Sequence, residues 1–234
     1  MKISFKAFNT IAGISGNKPI PAVSQLPSWY KAMPRFVNKD KKFKLSNSLE
    51  TNATIKWCNP FLDSLTAGYL ITLENDVQVS KEGGNALFVW KAGGDGFIST
   101  HSKQQVTEEM VPDGFDSQPY KFLNNWSVKT PAGYSALFTH PLNRTDLPFY
   151  TLSGVVDTDD YNQPVNFPFF IRENFEGIIP AGTPIAQVIP IKRESWTHEI
   201  SEFSEDFVVK SSAKFNSTIY RAYKNLFWKR KDYR

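Results

Sequence analysis

Short apolar stretches separated by turn-forming residues dominate the middle of the chain. They recur between residues 54 and 193 at intervals of roughly 8–12 positions, and β-branched and aromatic residues are frequent in them. Pro-Ala-Gly triplets and clusters of Asp and Asn separate them. This pattern predicts strands at 53–57, 69–73, 86–91, 122–129, 134–139, 150–156, 165–171 and 185–191. Such a series is typical of an all-β sandwich or barrel.

The two ends of the chain have different patterns. Four prolines interrupt residues 1–50, which predicts an irregular N-terminal arm with one short helix near residues 28–33. Near the other end, apolar residues recur at spacings of three and four, which predicts an amphipathic helix. These helix positions are Phe215, Ile219, Ala222, Tyr223 and Leu226. We therefore divide the chain into the arm (1–50), a β domain (51–200) and a C-terminal basic helix (201–234).

Composition excludes several classes of protein. The 234 residues are 41% hydrophobic, enough for a folded core, but they include one cysteine, Cys58, and three scattered histidines. A disulfide framework and a cysteine-based zinc site are thereby excluded. No apolar run approaches the ~18 residues of a membrane span, and the N-terminus lacks the apolar region of a signal peptide. We expect a soluble intracellular protein, or one part of an assembly made inside a cell.

Positive charge is concentrated near the C-terminus. The net charge is only +4, but residues 210–234 hold eight Lys or Arg against Asp232, and residues 31–44 hold six against Asp40. Basic clusters bind nucleic-acid phosphates, anionic lipid or acidic protein surfaces, although a solvated helix face is the commoner outcome. If the C-terminal helix docks on a partner, we expect these residues to carry the contact: Lys214, Arg221, Lys224, Trp228, Lys229 and Arg230.

A few side chains are candidates for chemistry. Asp157, Asp159 and Asp160 could hold a divalent cation, but aspartates are also common in hairpin turns because they hydrogen-bond the local backbone. His101 and His140 could act as bases or ligands, with a structural role as the commoner alternative. The Phe-rich stretch 167–170 is expected in the core rather than on a base-stacking surface.

Three motifs in a fixed order resemble a known superfamily. They are WSVKTPAGYSALF (126–138), SGVVDTDDY (153–161) and IPAGTPIAQVI (179–189), preceded by Ala67-Gly68-Tyr69. Together they resemble the trimeric dUTP pyrophosphatase and dCTP deaminase superfamily, which has the β-clip fold. The resemblance covers about residues 66–192, with an insertion at about 80–125. The whole chain also resembles an uncharacterised family encoded largely by tailed bacteriophages.

The resemblance implies a fold, an assembly and a site. It implies a β-clip domain and a homotrimer whose sites lie between subunits. In the enzymes of the superfamily a hairpin Asp activates the attacking water, with Mg²⁺ on the triphosphate, and Asp157 stands at that position. The nearby Tyr that packs on the sugar corresponds to Tyr161, one residue later than usual. Gln187 corresponds to the Gln of the last strand, which has structural and ligand-binding roles.

The chain departs from the superfamily wherever phosphate is bound. Pro141-Leu142-Asn143 replaces the Arg-Ser-Gly motif, so the cation and the hydroxyl are lost. Leu70 and Pro184 replace an acidic residue and an Arg. No glycine follows Gly182, so a Gly-rich phosphate lid cannot form in the usual way. We expect the fold to be kept and the pyrophosphatase activity to be lost.

Two main hypotheses follow. The first is a non-catalytic phage structural or virion-associated protein that acts by docking to its own subunits and to other virion proteins, in the virion or the host cytoplasm. The second is a divergent nucleotide-binding or nucleotide-hydrolysing enzyme that uses Asp157 and Mg²⁺. A third, weaker reading is nucleic-acid or cyclic-nucleotide binding through the basic segments, with an affinity that falls steeply with salt.

Overall fold

A computed structural model describes residues 1–8, 18–38, 52–91, 97–216 and 222–234, with the backbone alone at 214–216. Over these ranges the protein is mostly antiparallel sheet. The fourteen strands are β1 (Ser4–Ala7), β2 (Ile20–Pro21), β3 (Tyr69–Thr72), β4 (Val77–Glu82), β5 (Asn85–Trp90), β6 (Ile98–Thr100), β7 (Tyr120–Phe122), β8 (Trp126–Lys129), β9 (Tyr134–Thr139), β10 (Phe149–Thr151), β11 (Gly154–Val156), β12 (Phe167–Ile171), β13 (Gly177–Ile179) and β14 (Pro184–Lys192). The α-helices are α1 (Ser28–Ala32), α2 (Asn59–Thr66), α3 (Glu205–Asn216) and α4 (Ala222–Leu226). The expectation of an all-β protein is confirmed.

Four sheets share one core. The largest has the order β11-β9-β14-β3-β2, and the others are β10-β12-β7-β6, β13-β4-β5 and β1-β8. The long strand β14 lies at the centre of the largest sheet, where Val188 pairs with Phe138 on one side and Tyr69 on the other. The candidate site residues of the sequence analysis therefore lie close to the ends of β9 and β14 and to the turns and loops that follow them.

Phenylalanines fill the space between the sheets. Phe122, Phe149, Phe167 and Phe169 are at most 2% exposed, and the rings of Phe122 and Phe169 stack with centroids 3.8 Å apart. Burying each such ring contributes about 1.5–3 kcal/mol. The prediction that the Phe-rich stretch 167–170 belongs to the core is confirmed.

Most predicted strands occur close to their expected positions. The predictions at 69–73, 86–91, 134–139, 165–171 and 185–191 correspond to β3, β5, β9, β12 and β14. Two predicted strands, 122–129 and 150–156, are each divided into two. The strand at 53–57 was wrong, because Ile55–Trp57 forms a 3-10 helix that leads into α2. The Thr54 hydroxyl caps that helix by accepting a hydrogen bond from the Lys56 N–H.

Both ends of the chain contact the β domain. The N-terminal segment is less irregular than expected, since β1 pairs with β8, β2 pairs with β3, and the predicted short helix is α1. Residues 39–50 lie outside the described residues. At the other end α4 finishes at Leu226, so the helix does not continue to residue 234 as predicted. Among the described residues, no helix has the length and apolar character needed to cross a membrane.

Candidate functional site

Asp157 stands at the end of β11, in the turn that the sequence marked. Its Oδ1 accepts hydrogen bonds from the Ser135 hydroxyl, at 2.6 Å, and from Arg193 Nη1, at 3.2 Å. Its side chain is 69% exposed, and Ser135 is almost completely buried. The carboxylate is therefore tied on one oxygen to β9 and to the residue that follows β14, and it is open to solvent on its other side.

Asp159, in the same turn, accepts more hydrogen bonds on its carboxylate than Asp157 does. It accepts a hydrogen bond from the Gly133 N–H at 2.8 Å, and Arg193 Nη1 and Nη2 donate to its two oxygens, the former at 2.8 Å. The Arg193 guanidinium and the Gly133 N–H both favour the charged carboxylate, and they lower the pKa of Asp159 to about 2. The same pairing raises the pKa of Arg193.

The three aspartates of the turn do not gather around a common point. Asp157 and Asp159 share Arg193, which occupies the place that a cation would take between them. The third, Asp160, is exposed, and its backbone N–H donates to the Asp157 carbonyl oxygen. Within the ranges that the structure describes, no group of three His, Cys, Asp or Glu side chains could hold a metal ion.

The other two residues that the resemblance assigned to nucleotide binding lie in contrasting places. Tyr161 is 47% exposed and follows the Asp157 turn, where its N–H donates to the Asp157 carbonyl at 2.9 Å. Gln187 is 1% exposed, and its Oε1 accepts a hydrogen bond from the Leu142 N–H at 2.8 Å. Gln187 Nε2 donates to the carbonyl oxygens of Ser64 and Ala67. All the hydrogen-bonding capacity of the Gln187 amide except one acceptor lone pair is thus used within the chain.

A cleft of about 340 Å³ opens beyond the end of β9. Its walls come from three parts of the chain, which are Phe115, the stretch 139–150 and Arg172, and Asp157 is not among them. Residues that line this cleft include Phe115, His140, Thr145, Phe149, Tyr150 and Arg172. The His140 ring lies along the Tyr150 ring, with centroids 5.1 Å apart. Aromatic side chains therefore stand beside aliphatic, polar and charged ones in its walls, and we call it the aromatic cleft.

His140 is a structural part of this cleft. Its Nδ1 accepts a hydrogen bond from the Thr151 N–H at 3.3 Å, and its Nε2 lies 3.0 Å from the Arg144 carbonyl oxygen. The Nε2 nitrogen is then the protonated one, because a carbonyl can only accept. Burial, with the nearby positive charge of Arg144, lowers the pKa of His140 and favours this neutral form.

Arg172 supplies the cleft with an uncompensated positive charge. Its guanidinium lies over the Phe115 ring, 5.1 Å from the centroid, and donates to the Thr145 carbonyl oxygen at 3.0 Å. Among the described residues Arg172 has no carboxylate partner, whereas its neighbour Arg144 is paired with Asp146. Sequence reasoning missed Arg172, because no motif surrounds it and its companions are distant in the chain.

The basic C-terminal segment packs on its own domain. Trp228 Nε1 donates to Asp63 Oδ2 at 2.9 Å, and Lys231 Nζ lies 2.5 Å from the same oxygen. The ring of Tyr233 meets that of Tyr69 edge to face, with centroids 6.2 Å apart. The tail is therefore held by an ion pair, an indole hydrogen bond and one aromatic ring contact.

The docking residues predicted from the sequence have different environments in the structure. Trp228 is engaged within the chain, and Lys224 lies 5.8 Å from its ring centroid. Lys229 and Arg230 are exposed. Arg221 and the side chain of Lys214 lie outside the described residues. Of the predicted docking residues that the structure describes, Lys229 and Arg230 are the ones exposed and available to a partner.

A longer surface element precedes the basic tail, and we call residues 193–209 the C-terminal arm. Residues 193–204 contain no helix or strand, and every residue of the arm is exposed. Its large apolar side chains include Trp196 at 84% exposure, Ile200 at 92% and Phe203 at 76%. The rings of Phe203 and Phe207 stack on each other, 5.0 Å apart.

No protein-family model matches this chain, and no curated protein matches it significantly. The resemblance to dUTP pyrophosphatases therefore depends on four short motifs and their order. Functional assignments have to come from the geometry of the turn, the cleft and the arm.

Proposed function

We propose that this protein is a non-catalytic subunit of a larger assembly, a virion or virion-associated component of a phage, which acts by docking to copies of itself and to other proteins. The observation that carries the proposal is the exposed apolar C-terminal arm. Contiguous exposed apolar surface of this kind marks interaction sites in soluble proteins. The phage setting and the β-clip fold come from the sequence resemblance and belong to the proposal.

The energetics of the arm favour an external partner. Trp196, Ile200 and Phe203 are each at least 76% exposed. Burying an apolar side chain of this size gains about 1.5–3 kcal/mol. Three of them would therefore offset a substantial part of the cost of ordering and association.

The arm starts from a fixed point. Arg193 is held by Asp159 and Asp157, and its N–H donates to the Gly133 carbonyl oxygen at 2.8 Å. The first residue of the arm is thus rigidly attached to the sheet. Such attachment reduces the entropy lost on docking, because fewer backbone torsions are left to be ordered. In this interpretation the charge cluster at the Asp157 turn serves as an anchor.

A divergent nucleotide enzyme remains the second candidate. The observation in its favour is the 69% exposure of the Asp157 side chain, whose Oδ1 alone makes hydrogen bonds among the described residues. A carboxylate within reach of water is the minimum requirement for a general base. Against it, the residues of the former phosphate motif, Pro141 to Asn143, line the aromatic cleft instead.

A thermal-shift panel discriminates between the docking subunit and the nucleotide enzyme. Purified protein is heated with dUTP, dCTP, dTTP and cyclic dinucleotides, each with Mg²⁺, and its mass is measured by light scattering. We expect an oligomer whose melting temperature no nucleotide raises. A nucleotide-specific rise that is lost in Asp157→Ala and kept in the matched turn variant Asp160→Ala would overturn the proposal, because ligand binding stabilises the native state.

A further inference from the structure

We propose that the C-terminal arm of one copy docks in the aromatic cleft of a second copy, with Trp196 inserted in the cleft and Glu199 of the arm facing Arg172. This inference rests on the proposed docking function and names its partner. It joins the most exposed aromatic residue of the arm to the cleft beyond β9.

Size and surface chemistry match between the two elements. A cleft of about 340 Å³ has the volume of about eleven liquid water molecules, which is more than one indole ring requires. Its walls include Phe115, Phe149 and Tyr150, and aromatic pairs gain about 0.5–1.5 kcal/mol beyond their buried area. Tryptophan is also the residue type most often found as an interface anchor.

Charge is complementary as well. Residues 194–209 contain five Glu or Asp and no Lys or Arg. The cleft contains Arg172, which has no carboxylate partner among the described residues and already stacks on Phe115. A carboxylate of the arm that reaches this guanidinium supplies the missing partner, with a geometry suited to paired hydrogen bonds.

The reach of the chain points to a second copy. Arg193 lies beside Gly133 at the start of β9, and the cleft begins at Thr139 at the opposite end of that strand. Six residue steps along a strand span about 20 Å. Trp196 lies three residues beyond Arg193, so its backbone extends at most about 11 Å from the anchor. The backbone at Trp196 therefore ends well short of the cleft of its own chain, which favours a second copy as the partner.

This contact joins different surfaces of the two copies. A head-to-tail contact of this type generates a ring if the rotation closes and a filament if it does not. A closed ring would agree with the trimer that the sequence resemblance implies. The size of the assembly thus depends on the same residues as the docking.

Cross-linking between two differently tagged copies tests the proposal. In full-length chains with Cys58→Ser, one copy carries Thr197→Cys beside Trp196 and the other carries Thr145→Cys at the exposed edge of the cleft. After mixing and exchange, a short bis-maleimide should join the two tags. The matched control replaces the cleft cysteine with Asn85→Cys, at the exposed first position of β5, and should give at least tenfold less product.

Two further variants keep the test decisive. Adding Trp196→Ala or Arg172→Gln should reduce the cross-linked product at least fivefold, while each variant still unfolds in one cooperative transition. Without any cysteine change, oligomerisation should shift tryptophan emission to the blue in the wild type and much less in Trp196→Ala. A product that forms within one chain, or equally with the Asn85→Cys copy, overturns the inference.

The failure of this inference is distinguishable from the failure of the proposed function. An oligomer without the cross-link would reject the docking of Trp196 in the cleft and leave the docking function intact. A monomer at all concentrations would also reject the contact between copies. It would reject the self-association part of the proposed function too, whereas the nucleotide-specific thermal shift described above would reject the docking function as a whole.

Discussion

Arg193 and Asp159 form a two-point hydrogen-bonded ion pair that joins the residue after β14 to the turn after β11. The two residues are 34 positions apart in the sequence. Their pairing fixes the departure point of the C-terminal arm and tightens the turn that holds Asp157. This ion pair thus connects the turn that holds Asp157, the candidate catalytic residue, to the exposed C-terminal arm, for which we propose a docking role.

The pair should make stability depend on pH in a narrow acidic window. The pKa of Asp159 falls from 3.8 to about 2 on folding, so the contribution is fully present above about pH 4. It is lost as the pH falls through about 2. Unfolding free energy measured from pH 5 to pH 2 should therefore decline less steeply in Asp159→Asn than in the wild type.

The control for this effect is Asp160→Asn, in the same turn. Its side chain is exposed and forms no ion pair with Arg193, whose carboxylate partners are Asp157 and Asp159. Its pH profile should follow that of the wild type. Parallel profiles for Asp159→Asn and the wild type would show that the ion pair does not stabilise the fold.

Gln187 should be important for stability. Replacing it with Leu removes the partners of the Leu142 N–H and of the Ser64 and Ala67 carbonyl oxygens. A buried backbone group without a partner costs about 1–3 kcal/mol. We expect a loss of about 3 kcal/mol in the free energy of unfolding, measured with urea.

Gln78→Leu on β4 is the matched substitution at an exposed position. It should change stability by less than about 0.5 kcal/mol, as is usual for surface positions. If the Gln187 and Gln78 variants were equally stable, the hydrogen-bond network around Gln187 would contribute nothing.

Sequence reasoning succeeded where an element is determined by residues next to one another in the sequence. It failed where an element depends on particular side-chain contacts. The bounds of β9 matched the prediction, because Pro131 to Gly133 marks its start and the strand residues are apolar or aromatic. The division of 122–129 was missed because it depends on one side chain. Asn124 is buried, accepts a hydrogen bond from the Trp126 N–H and donates to the Trp126 carbonyl, which ends the regular pairing.

The site was harder to predict than the fold. Asp157 was correctly placed at a turn after a strand, but its bond to Arg193 spans 36 positions and no local pattern indicates it. The cleft draws its walls from three separate parts of the chain, so its aromatic residues look like core positions in the sequence. The exposed Trp196 could have been noticed, since it lies in a stretch without helical or alternating periodicity.

The basic tail should separate from the domain when its acidic partner is neutralised. Asp63 accepts hydrogen bonds from Trp228 Nε1 and from Lys231 Nζ. In Asp63→Asn the ion pair is lost, and we expect trypsin to cleave after Lys229, Arg230 and Lys231 several times faster than in the wild type. Asp113→Asn, at an exposed position, is the control and should leave the cleavage rate unchanged. Equal rates in all three proteins would contradict the packing of the tail on α2.

Gly68 should tolerate no side chain. It precedes β3 with a φ of +66°, and an added Cβ would lie 2.0 Å from the Val188 carbonyl oxygen in the neighbouring strand. The left-handed backbone alone costs about 1–2 kcal/mol for an alanine. Because backbone on both sides resists movement, we expect Gly68→Ala to cost at least about 3 kcal/mol in urea unfolding.

Gly83 in the turn between β4 and β5 separates the two causes of that loss. Its φ is +56°, but an added Cβ would meet no atom within 4 Å. Gly83→Ala should therefore show the cost of the left-handed backbone alone, about 1–2 kcal/mol. The difference between the two variants measures the steric clash with Val188. If both variants lost the same stability, the close approach of Gly68 to β14 would not be the reason for the glycine, and backbone conformation would explain it entirely.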